Sequence, residues 1–248
     1  MKRNFLKLMS VFAFAAISMV ACEKPNSGNG GIKEDDDPVN ENLHASLKGS
    51  AYVPVVIDEE SAKAIEKKIV ADLRVDDVNN FLYVWDNTYV AGEGAGLNFY
   101  EGTGYTSLVV GNVGWSGAGF IHEAAAGELE PFVNNDLDKW YFHLAYKTND
   151  ASVAHRVQII WGREGATTHY AFAIAADFND NGTITKVVNP VSNDGKVVAN
   201  EWNEYEIPLK DMGIDFTQKL FATNYITVLS GGTPGTQLNL DAIFFYKK

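Results

Sequence analysis

The chain has 248 residues, with 32 aspartates and glutamates against 20 lysines and arginines, and a formal net charge of −12 at pH 7. This balance argues against a nucleic-acid binder, which clusters lysine and arginine against phosphates, and against a basic face that would lie on anionic lipid. The single cysteine, Cys22, excludes an intramolecular disulfide, so burial of apolar side chains has to stabilise the fold.

The first 22 residues have the order of an export signal. Three basic residues precede an apolar stretch over residues 8–21, and Cys22 follows. A basic start, a short apolar stretch and a small residue before the cut are typical of a secretory signal peptide, and the stretch is shorter than the about 20 residues of a membrane-spanning helix. The segment resembles a bacterial lipoprotein signal. This resemblance implies removal of residues 1–21, acylation of Cys22 and a place in the outer membrane, at the cell surface or the periplasmic face.

Residues 22–44 predict a flexible acidic tether. They combine glycine, serine and asparagine with the run Glu34-Asp35-Asp36-Asp37, and such a composition cannot bury enough apolar surface to order itself. Residues 45–248 predict a single domain, because an all-β domain of about 200 residues can bury a core of its own. We expect the lipid on Cys22 to be the membrane contact of this domain.

One short helix is predicted ahead of the strands. Asp58 or Ser61 can cap it, and Glu59 and Glu60 suit the positive end of its dipole. The residues that follow are acceptable helix formers, and we expect the helix to end near Val70.

The rest of the chain reads as strands. Segments rich in aromatic and β-branched residues, several with alternating large and small or polar side chains, are separated by clusters of asparagine, aspartate and glycine. These segments span residues 81–85, 139–147, 156–161, 170–175, 201–209, 225–229 and 238–246. The spacing predicts an all-β chain, an antiparallel β-sandwich or barrel, with no βαβ alternation.

Two C-terminal segments carry a family resemblance. Residues 200–209 contain a tryptophan, an alternating strand and Ile207-Pro208-Leu209, and residues 238–246 contain Leu240-Asp241-Ala242-Ile243. Both resemble the second half of a carbohydrate-binding-module jelly roll of the galactose-binding-domain type, which implies that fold here. The whole chain also resembles surface lipoproteins of glycan-uptake systems, which implies a carbohydrate ligand and outer-membrane transport proteins as partners.

Aromatic residues near glycine-rich turns are the candidates for sugar binding. A flat ring can stack on the apolar C–H face of a sugar while neighbouring amides bind its hydroxyls. The candidate residues are Trp85, Asn87, Tyr89, Asn98, Tyr105 and Trp115. The alternative is that Trp85 belongs to the core and that Trp115 fills space beside bare glycines. Trp140 and Trp202 are expected to pack in the core or on strands, and either role suits Trp161.

Two calcium hypotheses follow from acidic residues. Residues 177–184 match the opening of a calcium loop, but Val188 stands where a bidentate glutamate is needed, and an Asn181-Gly182 hairpin turn is the simpler interpretation. Jelly-roll modules commonly hold a structural calcium between their sheets. On that resemblance Asp72 and Asp241 are the candidate ligands.

The catalytic motifs are incomplete. Residues 114–118 lack the last glycine of a nucleophile elbow, and His122-Glu123 is followed by Ala126 where a zinc protease has its second histidine. We therefore expect a non-catalytic, membrane-anchored lipoprotein that binds an oligo- or polysaccharide for uptake. The alternatives are a structural or assembly lipoprotein that binds an outer-membrane protein, and a secreted glycan hydrolase.

Overall fold

The described strands form two antiparallel sheets and one small hairpin. A computed structural model describes residues 47–92, 99, 105–111, 114–132 and 136–248, all within one unit that runs from Glu41 to Lys248. Cys22, the predicted tether and Asn98 lie outside the described residues. The described part of the chain contains no helix that is both long and apolar enough to cross a membrane.

Thirteen strands and one α-helix make up the described fold. They are β1 Ala51–Val56, α1 Glu59–Ala64, β2 Asn80–Val84, β3 Tyr89–Ala91, β4 Thr106–Val110, β5 Trp115–His122, β6 Trp140–Lys147, β7 His155–Arg163, β8 Ala166–Ile174, β9 Phe178–Asp180, β10 Thr183–Thr185, β11 Asn203–Pro208, β12 Thr223–Gly231 and β13 Gln237–Lys247. The prediction of an all-β chain with one short helix is confirmed, although β1, β3, β4, β5, β9 and β10 were not among the predicted segments.

The first sheet, sheet A, is built around the long strand β13. One side of β13 pairs with β6, which in turn pairs with β11. The other side pairs first with β4, over Gln237–Leu240, and then with β1, over Ile243–Lys247. The register shifts between Asp241 and Phe244, and Ala242 has a φ of 45° there. At this bulge the same side of β13 changes its pairing partner from β4 to β1.

The second sheet, sheet B, has the order β2-β5-β12-β7-β8. Alternating inward side chains from both sheets form one buried apolar cluster. Trp140, Phe142, Leu144 and Tyr146 face inward along β6, and Trp161 is fully buried between the sheets. Phe132 links them, because its ring centroid lies 4.9 Å from Trp140, 5.2 Å from Trp161 and 5.8 Å from Phe245. The predicted β-sandwich is therefore confirmed.

Helix α1 covers the outer face of sheet A. The Asp58 carboxylate accepts a hydrogen bond of 2.8 Å from the Ser61 amide, as the predicted cap requires. The helix ends at Ala64, earlier than predicted, and a short 3₁₀ turn over Glu66–Lys68 continues the chain. Ala62 and Ile65 pack on a second apolar cluster that includes Tyr52, Phe244 and Tyr246.

Candidate functional site

The outer face of sheet B carries exposed aromatic residues. The inward residues of these strands, such as Phe120 and Val157, belong to the core, so their neighbours along each strand point outward. Tyr83 from β2 and Trp115 from β5 are 51% and 45% exposed. We call this outer surface, with the residues described below, the open face, because α1, the one α-helix among the described residues, lies over sheet A.

Trp85 lies across the open face because two glycines make room for its ring. A Cβ atom on Gly117 would lie 2.3 Å from Cε3 of Trp85, and one on Gly119 would lie 3.4 Å from Cζ2. The turn that places the indole follows β2, where Asp86 and Asn87 both have positive φ, at 49° and 54°. The ring therefore rests on bare backbone and is held in one orientation.

Trp115 forms one wall of a cleft at the end of β5. The cleft has a volume of about 560 Å³, and its other residues include Leu229, Gly231 and the hairpin residues Asn179, Asp180 and Asn181. The hairpin closes at Asn181-Gly182 as predicted, with a 2.9 Å hydrogen bond from the Gly182 amide to Oδ1 of Asn179. Amide and carboxylate groups thus stand opposite an exposed indole.

Polar side chains share the open face with the aromatic rings. Arg156 and Gln158 point outward from β7 and are half-buried. Oδ1 of Asn224, at the bulge of β12, is buried beside Gly119 and has no hydrogen-bond partner within the part of the chain that the structure describes. These groups can donate to or accept from a ligand laid across the strands.

The charge of the open face differs from that of the whole chain. The five strands of sheet B contain no aspartate or glutamate, although the chain has 32 such residues. The strands of sheet A contain Glu204, Glu206 and Asp241. The acidic side chains of the protein therefore lie outside the strands that form the open face.

The predicted sugar-binding residues that the structure describes do not all lie together. Trp85 and Trp115 lie together on the open face, with exposed Asn87 on the turn beside Trp85. Tyr105 lies elsewhere, because it is half-buried and packs edge-on against Trp202, with ring centroids 6.0 Å apart. Trp202 in turn packs on the second apolar cluster, over sheet A.

The prediction for Tyr89 is wrong. Its side chain is 1% exposed, and its hydroxyl forms a hydrogen bond of 2.6 Å with Oγ of Ser230 inside the sandwich. Burial raises the pKa of this hydroxyl above its usual value. A ring enclosed in this way cannot stack on a ligand. Its hydroxyl instead connects through Ser230 to Nδ1 of His155, which is 2.6 Å from the same oxygen.

Sequence reasoning missed Tyr83, Arg156, Gln158 and Asn224. Alternation was the available signal, since Phe81 and Tyr83 occupy one face of β2 and Trp115, Gly117 and Gly119 one face of β5. Which of the two faces is open depends on strand pairing, which local alternation does not specify.

The candidate calcium ligands do not form a ligand group. Both carboxylate oxygens of Asp72 are bound by Arg74, at 2.9 Å from Nε to Oδ1 and 2.6 Å from Nη2 to Oδ2. In Asp241, Oδ1 accepts the Ala242 amide at 2.6 Å, and burial raises the pKa of its carboxyl to about 6. Among the described residues, no three histidine, cysteine, aspartate or glutamate side chains are grouped to hold a metal ion. Asp177, which opens the other proposed loop, is paired with Lys186 at 2.7 Å.

A second cleft, of about 580 Å³, contains charged side chains that already bind one another or the backbone. Arg74 is paired with Asp72, and Oδ1 of Asp76 accepts three backbone amides at 2.7–2.9 Å. Both ring nitrogens of His122 are in hydrogen bonds of 2.9 Å, to Oδ1 of Asn80 and to the Gly127 carbonyl. This arrangement satisfies local backbone and side-chain groups, and the open face is the better candidate.

Comparison with known proteins yields structural likenesses at low identity. No protein-family model matches the chain, and no curated protein matches its sequence. A family 30 carbohydrate-binding module is similar at 11% identity and a TM-score of 0.41, covering 68% of this chain and 92% of that one. The family 30 module of a cellulosomal cellulase of Clostridium thermocellum is similar at 12% identity and 0.41, with 69% and 92% covered.

A third likeness is to SGBP-B from a complex xyloglucan utilization locus in Bacteroides uniformis, at 11% identity and a TM-score of 0.34, covering 68% of this chain and 49% of that one. At these values any function has to be argued from the open face itself. The chain is thus an antiparallel β-sandwich whose similar solved structures include carbohydrate-binding modules, as residues 200–209 and 238–246 predicted.

Proposed function

We propose that the chain is a non-catalytic carbohydrate-binding protein and that the open face binds the sugar. The observation that carries this proposal is the presence of two indoles on one face: the Trp85 ring, which follows β2, lies against Gly117 of β5, and Trp115 is exposed two residues before that glycine. Rings that are fixed before the ligand arrives lose little conformational entropy on binding. Each can cover the apolar face of a sugar ring, and burial of that contact is favourable.

The polar residues of the open face suit the hydroxyl groups of a sugar. Gln158 and Asn224 offer both donors and acceptors, and Arg156 offers donors only. Because Oδ1 of Asn224 is buried without a partner among the described residues, a ligand hydroxyl would satisfy it. Aromatic surface with a few placed polar groups is the usual make-up of a small-molecule site.

Catalysis is not part of this proposal. Glycoside hydrolysis commonly needs two carboxyl groups that face each other about 5–9.5 Å apart across the scissile bond. The strands of the open face contain no carboxylate, and Asp180 is the one carboxylate among the described residues that line the cleft beside Trp115. Sugar capture needs no such pair.

We also propose that acylated Cys22 anchors the domain in the outer membrane and that residues 22–44 act as the tether, so that capture serves uptake together with outer-membrane transport proteins. The order of residues 1–22 supports this proposal. Cells that express the chain should incorporate a labelled fatty acid into it, and Cys22→Ser should abolish the label. Label that persists in the variant would contradict the anchor.

The binding proposal is tested by affinity electrophoresis of the purified protein in gels that contain soluble polysaccharides, followed by calorimetry with the best ligand. Trp85→Ala and Trp115→Ala should each weaken binding about tenfold or more, because each removes an aromatic contact. The matched control is Trp202→Ala, a half-buried tryptophan over sheet A, which should leave the affinity unchanged.

Two results would contradict the proposal. One is migration that no polysaccharide retards. The other is binding that survives both substitutions on the open face and is lost in the Trp202 variant. An outer-membrane protein that co-purifies with the chain, and is lost in the Trp85 and Trp115 variants, would instead favour protein docking on this exposed aromatic surface.

A further inference from the structure

We propose that the carbohydrate bound on the open face carries an anionic group, a carboxylate or a sulfate ester, and that Arg156 binds this group. The inference rests on the proposed carbohydrate binding and names the class of sugar. Three observations support it: the position of Arg156, the absence of an ion-pair partner for it among the described residues, and the charge of the surrounding strands.

Arg156 lies beside the aromatic rings on the open face. It pairs with Leu229 on β12, and Leu229 pairs with Gly117 on β5. A Cβ on Gly117 would meet both the Trp85 ring and, at 2.9 Å, Cδ2 of Leu229. Because neighbouring strands are about 5 Å apart, the Arg156 backbone lies about 10 Å from Gly117 across the sheet. A sugar stacked on Trp85 would therefore extend toward the guanidinium group over Leu229.

Arg156 differs from the two other described arginines because it forms no ion pair with a described residue. Arg74 is paired with Asp72, Arg163 with Glu128, and Lys186 with Asp177. The remaining paired lysines are Lys139, Lys219, Lys247 and Lys248. Arg156 is half-buried and has no such partner within the described part of the chain, so its guanidinium group can bind an anionic group of a ligand.

The chemistry of the guanidinium group selects the ligand class. Its planar fork donates two parallel hydrogen bonds to a carboxylate or to the oxygens of a sulfate, and these charge-assisted bonds are stronger than bonds to a hydroxyl. Partial burial strengthens the attraction, because less water screens the charge. A neutral sugar would use this group only as an ordinary donor.

The strands around Arg156 allow an anion to approach. A protein with net charge −12 repels polyanions in general, but no strand of sheet B contributes a carboxylate. Two acidic residues lie at the turns beside these strands: Asp180 lines the cleft beside Trp115, and exposed Asp86 follows Trp85. The open face is therefore the part of the fold whose strands combine exposed aromatic rings, a cation and no acidic side chain.

The test compares three soluble polysaccharides by affinity electrophoresis and calorimetry: polygalacturonate, a sulfated galactan and a neutral galactan. At least one of the two anionic probes should bind more tightly than the neutral one, and rising salt should weaken that binding. The probe that binds identifies the group, carboxylate or sulfate. Arg156→Gln should weaken binding of that probe about tenfold or more and weaken binding of the neutral galactan by a clearly smaller factor, because the neutral sugar loses only an ordinary hydrogen-bond donor.

Two further variants keep the test interpretable. Arg156→Lys retains the positive charge but cannot donate two parallel hydrogen bonds, so it should give an intermediate affinity. Asp180→Asn removes one nearby negative charge and should leave anionic binding equal or stronger. The thermal unfolding midpoint of each variant, measured first, should match that of the unchanged protein, which excludes a folding defect.

The results separate this inference from the proposed function. If the neutral galactan binds as tightly as both anionic probes, and Arg156→Gln changes nothing, the inference is wrong while carbohydrate binding stands. If none of the three probes nor any other polysaccharide binds, the proposed function fails and the inference fails with it.

Discussion

The outer faces of the two sheets are both rich in aromatic residues, yet they differ in how those residues are used. Over sheet A, the rings of His143 and Phe244 stack with centroids 4.7 Å apart, and Nζ of Lys248 lies 3.8 Å from the centroid of Tyr141. Glu206 accepts from the Tyr246 hydroxyl and from Lys248. Over sheet B, Tyr83 and Trp115 are about half exposed, and Arg156 has no ion-pair partner among the described residues.

This difference shows that aromatic content alone does not identify a binding surface. The rings of sheet A are covered by α1 and by one another, so their apolar area is already buried in the native fold. The rings of the open face keep exposed area that a ligand could still bury. A site is recognised by interactions that the folded chain leaves unmade, such as the buried Oδ1 of Asn224, unpartnered within the described residues.

The largest effect is expected from a substitution that removes the floor of the open face. Gly117→Val should displace the Trp85 ring, because even a Cβ at this position would lie 2.3 Å from it. We expect an affinity loss of about tenfold to a hundredfold, measured by calorimetry with the polysaccharide that binds best. Trp202→Ala, over sheet A, is the control and should leave the affinity unchanged. Equal losses in both variants would show that the Trp85 position is unimportant.

A second effect concerns stability and belongs to sheet A. Burial raises the pKa of Asp241 to about 6 in the folded protein, above the unfolded value near 4, so the folded state holds the proton more tightly. The proton on Asp241 therefore stabilises the folded state. This contribution is fully present below about pH 4 and is lost as the pH rises through about 6.

Asp241→Asn should therefore raise the free energy of unfolding at pH 8 by about 2 kcal/mol, while at pH 4 the two proteins should be nearly equal. Urea denaturation at both pH values measures this difference, and glycan affinity should not change. A variant that is less stable at pH 8 would show that the Asp241 charge is used, for example by a bound cation.

The smallest effect is expected from the rings of sheet A. Tyr141→Phe should leave glycan affinity within about twofold, because this half-buried ring packs over Tyr246 and beneath Lys248 on the face opposite the proposed site. Calorimetry under the same conditions as for Gly117→Val gives the comparison. A tenfold loss would place the ligand on sheet A and reverse the contrast between the two faces.

Local patterns predicted the strands well and the site only in part. The alternation of Trp140, Phe142, Leu144 and Tyr146 was sufficient to orient β6, because a period of two places these side chains on one face. The same reasoning fails between Trp85 and Tyr89, where Asp86 and Asn87 adopt left-handed backbone conformations and break the alternation.

Pairing between distant strands explains the remaining differences. Tyr105 is near Trp85 in sequence, but it precedes β4 of sheet A, whereas Trp85 follows β2 of sheet B. Arg156 lies near Trp85 because β7 pairs with β12 and β12 pairs with β5. The residues that these pairings bring together are more than 30 positions apart in the sequence. Such a juxtaposition depends on long-range hydrogen bonding, which no local window of sequence contains.

Iodide quenching of tryptophan fluorescence tests the central claim, that a polysaccharide covers the open face, most directly. Single Trp→Phe variants assign the signal, and Trp115, at 45% exposure, should account for most of the quenching, while Trp140 and Trp161, at 5% and 0%, should account for almost none. Added polysaccharide should protect Trp115 and Trp85 from iodide and leave the accessibility of Trp202 unchanged. Saturating ligand that leaves Trp115 fully quenchable, or that protects Trp202 instead, would contradict the claim.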